Sequence, residues 1–359
     1  MSDNASIDFM NASGMGSGDV AGALIQNDFD LGCLRPVYDA ESKSSYAIIN
    51  NEQRTITNAP ASLRKDAWIE LDTAIVESAR QRLKLVGDLT SSGLVYNLPN
   101  GFSKSVLETE TVGDIEDAEI SMDPANSNKA DGLQFDLTTL PLPIVHKGFH
   151  YTARQIASNQ SSGTPLDTTH ARLAARRVAE RIEKMTIGLE TYQYGGGNVY
   201  GLMNFPGRVT TTFSDPSLTS GWNGSMLVSE LLAMKQLLKG QLHYGPFAVY
   251  FGTEWDRYLD EDYAAAKGSN TVRERIGQIS QIDSIETLDF MSGYDVLMVQ
   301  KSSDVIRMVN GINMQTIQWP SMGGLKVDFK VMAMMVPQVR QDFYNRCGVL
   351  HASAQDNSA

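Results

Sequence analysis

Apolar positions recur along this chain with two periods, and long stretches show neither. Between Ala61 and Leu85, Trp68, Leu71, Ile75, Ala79 and Leu83 fall at spacings of three and four. That spacing predicts one helix with a single apolar stripe. Lys65, Asp66, Glu70, Arg80 and Lys84 lie mostly off it. A second helix is expected from Thr164-Pro165-Leu166-Asp167, where a proline near the first turn and an aspartate mark a start. Leu173, Val178, Ile182, Met185 and Leu189 make its apolar side. Arg172, Arg176, Arg177, Glu180, Arg181, Glu183 and Lys184 make its charged side, and Gly195-Gly196-Gly197 is its expected end.

The second half alternates. Leu227, Leu231, Met234 and Leu238 predict a helix over Ser225–Leu242, and Phe247–Phe251 reads as a strand. A short helix is expected over Thr253–Ala265, then strands near Ile285–Phe290, Val296–Gln300 and Val305–Val309. Asn310-Gly311 is the signature of a tight hairpin turn, here leading into Ile312–Trp319. Val327, Phe329 and Val331 alternate with Lys326, Asp328 and Lys330 in a late strand. The order is mixed α+β, not a regular βαβ repeat.

Two stretches have too little apolar content to fold on themselves. Residues 1–60 are rich in Gly, Ser and Asn, with short apolar islands at Ala21–Ile25 and Tyr46–Ile49. Residues 87–131 contain no basic residue between Lys104 and Lys129, but carry Glu108, Glu110, Asp114, Glu116, Asp117, Glu119 and Asp123. The first reads as an extended arm and the second as a long hairpin-like excursion. Leu133–His150 then reads as strands, and His351–Ala359 as a loose tail. Ordering roughly 100 such residues costs about 1–2 kcal/mol each in backbone entropy. Contacts with other copies of the same chain, in a symmetric assembly, are the economical compensation.

Composition narrows the picture. The chain has 359 residues, 42% hydrophobic and 20% charged, which suits one or two domains with a buried core. Its net charge of −12 argues against holding nucleic acid by bulk charge, because phosphate neutralisation needs clustered Lys and Arg. It does not exclude enclosing nucleic acid. Two distant cysteines, Cys33 and Cys347, exclude a zinc cluster and speak against a disulfide framework. No basic-then-apolar leader is visible, nor an apolar run of about 18 residues, so the expectation is a soluble cytoplasmic chain without a membrane span.

Candidate chemistry is sparse. His146 and His150 are four apart on a predicted strand, about 13 Å from each other, too far to share one metal. Gly14-Met15-Gly16-Ser17-Gly18 lies in the arm, and Gly195–Gly197 follows a helix, whereas a phosphate loop precedes one. Asp260-Glu261-Asp262 reads as a solvated helix face, and Met332, Met334 and Met335 as core filling. No catalytic, metal or cofactor site is expected. The acidic excursion is more informative: without a core of its own, it suits basic residues on a neighbouring subunit, for which Arg172–Arg181 is a candidate.

Four pieces resemble the major capsid proteins of tailed bacteriophages, which share a fold with encapsulin nanocompartments. The helix Leu63-Arg-Lys-Asp-Ala-Trp68-Ile-Glu-Leu71-Asp72-Thr-Ala74 is similar to one near the start of encapsulin-type shells. An extended hairpin (the family's E-loop), strands and one long charged helix (its spine helix) follow in the family's order, at about 87–131, 133–150 and 165–193. Val199-Tyr200-Gly201-Leu202-Met203-Asn204 looks like the segment after the spine helix. Ser303-Asp304-Val305-Ile306-Arg307-Met308, with Leu325–Met335, looks like the closing strands. The resemblance covers about residues 60–350. The first 60 residues and the overall length favour the phage type over the encapsulin type.

The resemblance implies an N-terminal arm at 1–60, the first helix at 61–86, the E-loop at 87–131 and a peripheral domain with the spine helix at 132–194. An axial domain at 195–320, return strands at 321–350 and a tail at 351–359 complete it. It implies a non-enzymatic subunit that forms hexamers and pentamers with itself in an icosahedral head. That head would be assembled in a bacterial host's cytoplasm and would enclose double-stranded DNA without sequence-specific binding. Scaffold, portal and decoration proteins are the further partners implied. The alternative is an encapsulin-like compartment around a cargo enzyme. Expected assembly contacts are Trp68 and Ile75 on the first helix, then Glu108, Glu110, Glu116 and Asp117 on the loop, with Arg176, Arg177 and Arg181 as their partners. Some family members form a Lys–Asn crosslink. Lys104 lies in the loop, but the residues identify no acceptor Asn or catalytic acid for it.

Overall fold

The computed structural model describes residues 37–39, 44–49, 52–56, 63–80, 82–112, 122, 135–162, 168–263 and 270–355. Most of the expected arm, Cys33, Glu116 and Asp117 lie outside them. Strands β1 (Val37–Asp39), β2 (Ser44–Ile49), β3 (Glu52–Ile56) and β4 (Leu63–Arg64) form a small sheet in the order β3-β2-β1-β4. The last third of the expected arm is therefore strand-bearing.

The single helix expected from Ala61 to Leu85 is two. Helix α1 is Lys65–Arg80 and helix α2 is Lys84–Ser91. Leu83 continues the stripe in sequence, but it precedes α2, where Leu85, Val86 and Leu89 turn their own apolar side inward. The excursion expected from residue 87 thus begins inside a helix. Strand β5 (Val95–Asn97) follows, and the extended hairpin proper is β6 (Val106–Val112) with β7 (Phe135–Pro141). Strand β8 (Val145–Thr152) leads through α3 (Ala153–Ser162) to the long helix α4 (Thr169–Ile187).

Helix α4 ends at Gly188, not at the glycine triplet. Gly188 has φ 104°, a left-handed position that glycine reaches without strain. Tyr192–Tyr194 (β9) and Gly197–Val199 (β10) form a small hairpin around Gly195 and Gly196. The buried side of α4 also differs from expectation. Leu173 and Leu189 are exposed, while Ala171, Ala174, Ala175, Val178, Ala179, Ile182 and Met185 are buried. Small alanines there let α1 pack closely.

The remaining elements are β11 (Val209–Ser214), α5 (Gly224–Gly240), β12 (Phe247–Gly252), α6 (Asp256–Leu259), α7 (Val272–Gly277), β13 (Ile282–Leu288), β14 (Val296–Gln300), β15 (Ile306–Ser321), β16 (Lys326–Val339) and β17 (Val349–Gln355). The helix expected over Thr253–Ala265 is a 3-10 turn followed by α6, and α7 starts at a capping box of Thr271 and Glu274. Asn310-Gly311 makes no turn: β15 runs through it with a register shift against β16. Packing overrides the turn signal there. A Cβ on Gly311 would lie 2.4 Å from Met334 Sδ, and one on Gly101 would lie 2.3 Å from the Gly311 carbonyl oxygen. The reversal comes instead at Met322–Gly324.

Two sheets carry the core. One has the order β5-β15-β16-β8, with α1, α2 and α4 against it. The other has the order β11-β17-β14-β12-β13. Strand β12 is buried on both faces and so reads as a continuous apolar run. Ala248 and Tyr250 face the core shared with α2 and α4, while Phe247, Val249 and Phe251 face the core under α5 and α7. The division expected after residue 320 falls inside β15, and most of the tail expected from His351 is β17, a central strand. Val349, Leu350 and Ala352 are apolar and fully buried, which fixes that segment in the sheet.

Candidate interaction surfaces

The interior polar groups are structural ties. Glu183 of α4 is 2% exposed, and its carboxylate accepts the backbone N–H groups of Leu85 (2.6 Å) and Val86 (3.2 Å). It therefore caps the amino end of α2. Burial pushes its carboxyl up to about 7, against the lowering effect of those N–H donors. Asp88 of α2 accepts from Tyr250 Oη (2.6 Å), Lys301 Nζ (2.8 Å) and Ser284 Oγ (3.3 Å). Lys301 also donates to Asp283 (3.2 Å). Burial works to lower the Lys301 ammonium, but the two carboxylates outweigh it and raise it. Burial, with Asp88 as hydrogen-bond acceptor, raises the Tyr250 hydroxyl. Lys84 reaches Asp289 at 2.8 Å. Helix α2 is thus tied to α4 at one end and to the five-stranded sheet along its length.

The remaining chemical candidates stay apart. Among the described residues no three His, Cys, Asp or Glu side chains converge on a metal position. His146 and His150 are both exposed on β8. Cys347 is buried, and burial pushes its thiol up to about 11, so it carries no thiolate at neutral pH. Asp260 lies 3.5 Å from Arg273 and Glu261 3.7 Å from Arg257, as surface pairs. No helix among the described residues is long and apolar enough to cross a membrane.

The extended hairpin offers a distinct surface. Its register pairs Glu110 with Leu137 and Val112 with Phe135. Because strand side chains alternate, Glu108, Glu110, Leu137 and Phe135 share one face of the ribbon. The other face carries Leu107, Thr109 and Leu140. Leu140 is buried and Thr109 Oγ1 accepts from Gln338 of β16, so that face is turned to the protomer. On the outer face Phe135 and Leu137 are 62% and 56% exposed. Lys104 is exposed just before the ribbon.

Among the described residues, the three arginines do not meet Glu108 or Glu110 within the protomer. Arg177 pairs with Glu180 (2.9 Å), as does Arg176 (3.5 Å), and Arg181 pairs with Glu190. Arg177 and Arg181 line a groove of about 360 Å³ beside the start of β8. Its apolar lining includes Pro143, Ile144, Val145, Val178 and Met185, and its polar lining His146, Lys147, Arg177, Arg181 and Glu190. Trp68 and Ile75 are 4% and 1% exposed, which removes them from any surface. Trp68 packs against Phe329 with ring centroids 6.4 Å apart, fixing α1 on the sheet. Among the described residues, the large apolar side chains exposed on α1 are Ile69 and Val76. Sequence reasoning missed Leu137 and Phe135 as surface residues because strand periodicity alone does not tell which face is buried.

Residues 58–352 match DUF6260, a family of unknown function. The chain belongs to that family. No curated protein matches this DUF6260 member. Its fold matches the virus-like particle of Pyrococcus furiosus, at 15% identity and a TM-score of 0.57, over 79% of this chain and 98% of that one. It matches the capsid of Myoviridae phage XM1 at 11% identity and the same TM-score, over 74% and 91% of the two chains. The structure from Mycobacterium phage Bobi follows at 10% identity and TM-score 0.51, over 74% and 90%. The DUF6260 member therefore has the mixed α+β fold of phage capsid chains, and the expected resemblance holds at the level of fold.

Proposed function

We propose that the chain is the major capsid protein of a tailed phage, a structural subunit that assembles with itself into an icosahedral head around double-stranded DNA. The observation that carries the proposal is the capsid fold, which covers about three quarters of the chain. In this reading β6–β7 is the E-loop and α4 the spine helix. The β5-β15-β16-β8 sheet belongs to the peripheral domain, and the five-stranded sheet to the axial one. The work is assembly, with no catalytic step, in a bacterial host's cytoplasm. Portal, scaffold and decoration proteins are further proposed partners.

The net charge of −12 supports a wall that encloses DNA without gripping it. A second reading is an encapsulin-like compartment around a cargo enzyme, favoured by the match to almost all of the Pyrococcus furiosus particle chain. Light scattering on the purified chain tests the shared claim: a megadalton species is expected, and a monomer at all concentrations and salts overturns it. Nuclease-protected DNA in particles from phage-producing cells supports the head, and a co-purifying enzyme the compartment.

A further inference from the structure

We infer that Arg307 and Arg340 form a binding site for a small oxyanion of the phosphate class, complete within one protomer. Strand register places the pair. Arg307 of β15 lies opposite Gln338 of β16. The ladder runs one residue past β16, where the Arg340 backbone N–H donates to the Val305 carbonyl at 2.8 Å. Arg340 is therefore the diagonal neighbour of Arg307 on one sheet face, with Cα atoms roughly 7–8 Å apart. Val309 and Val336 share that face and pack with Leu140 at the foot of the β6–β7 ribbon. The Arg307 guanidinium is held on two sides. Its carbon stands 4.5 Å from the centre of the Tyr96 ring, and its Nε donates to Gln338 Oε1 at 2.7 Å. Gln338 donates in turn to Thr109 Oγ1 of β6 at 3.2 Å. The two terminal nitrogens of Arg307 remain, with no acceptor among the described residues.

Charge singles the pair out. Arginines elsewhere are matched: Arg177 with Glu180, Arg181 with Glu190, Arg273 with Asp256. The chain has 42 acidic residues against 30 Lys and Arg, yet among the described residues neither Arg307 nor Arg340 has a carboxylate within ion-pair distance. Both side chains are half-buried. Burial, and after it the charge of Arg340, holds the Arg307 guanidinium below its usual value. Two like charges side by side and partly out of water repel, and an anion between them turns that repulsion into attraction. A guanidinium already oriented by a ring and one hydrogen bond presents its remaining N–H groups as a fork, the arrangement that suits an oxyanion. A phosphate-class anion has enough oxygens to accept from both guanidiniums at once. The occupant is a free ion because the site is recessed: Gln338 is 4% exposed, and Tyr96 and the ribbon foot flank the pair.

The test titrates the purified 359-residue chain with sodium phosphate, against sodium chloride at the same ionic strength. An ion bound by the folded state alone stabilises it by mass action, so phosphate should raise the melting temperature saturably and give a saturable heat in calorimetry, and chloride should do neither. Arg307→Gln and Arg340→Gln should each weaken phosphate binding about tenfold or more. Arg340→Gln keeps the test intact if Arg307→Gln fails to fold, since the Arg340 side chain holds no partner among the described residues. Arg172→Gln, at an exposed arginine on α4, should bind phosphate as wild type does. Equal stabilisation by chloride would mean screening alone and overturns the site. So does undiminished phosphate binding in folded Arg340→Gln, or a loss of equal size in Arg172→Gln. A short DNA duplex is the last arm: duplex binding that both Gln variants abolish, without saturable binding of phosphate itself, would assign the pair to nucleic acid and overturn the free-ion site.

Discussion

The Glu183 carboxylate lies 2.6 Å from the Leu85 backbone nitrogen, in the interior where α4 meets the start of α2. A buried acid satisfied by helix N–H groups holds the two helices together, and it does so at a cost. Burial raises its carboxyl from 4.5 to about 7. A group whose folded value is raised binds its proton in the folded state while the unfolded chain has already released it. Its contribution to stability is therefore fully present below the unfolded value and is lost as pH rises through the folded one. Between pH 4 and pH 8 the wild-type protomer should lose on the order of 3 kcal/mol from this group. Denaturant titrations should show that loss in wild type and little of it in Glu183→Gln, whose amide oxygen can still accept from Leu85. Equal slopes in both proteins would contradict the assignment.

Asp88 gives a second, independent expectation. Lys301→Met removes the ammonium 2.8 Å from Asp88 and leaves a half-buried carboxylate with hydroxyl donors only, a loss of about 3 kcal/mol. Tyr250→Phe removes one hydrogen bond and leaves the ion pair, costing about 1 kcal/mol. Urea unfolding of both variants should rank them in that order. The reverse order would mean that the hydroxyl, not the ion pair, holds α2 to the five-stranded sheet.

The register shift in β15 predicts an asymmetry between two glycines. A methyl on Gly101 meets backbone at 2.3 Å, whereas one on Gly311 meets the end of the Met334 side chain at 2.4 Å. Gly101→Ala should therefore destabilise by about 3 kcal/mol or more, and Gly311→Ala by about 1–2 kcal/mol, as Met334 shifts. Thermal melts of the two variants check this.

Trp68 and Leu137 should separate folding from assembly. Trp68→Ala opens a cavity against Phe329 and should cost about 3–5 kcal/mol of protomer stability. Leu137→Asp, on an exposed strand position, should change the melt by less than about 0.5 kcal/mol while depleting the assembled species. A large fall in melting temperature in Leu137→Asp would show that the ribbon face packs inside the protomer.

The order of elements was legible because long amphipathic segments announce themselves: α5 buries Leu227, Leu231, Met234 and Leu238, as their spacing requires. What failed was local punctuation overruled by packing. The glycine triplet at 195–197 is a louder stop signal than Gly188, yet the helix ends at Gly188 and the triplet turns the β9–β10 hairpin. Asn310-Gly311 has the chemistry of a turn, but its glycine is used to let Gly101 approach. Alanines carry the buried side of α4, so the pattern of large residues pointed to Leu173, which is exposed. Glu183 sits among charged neighbours in sequence, and only the break between α1 and α2 brings a helix end to its carboxylate. The outer face of the ribbon depends on the pairing of two strands distant in sequence, which periodicity does not reveal.

Self-assembly into a closed shell is open to direct observation by cryo-electron microscopy of the purified 359-residue chain. Hollow particles of icosahedral symmetry are expected, with five-fold and six-fold rings built from this one protomer. Dispersed single protomers, or open filaments without five-fold vertices, under all assembly conditions would contradict it.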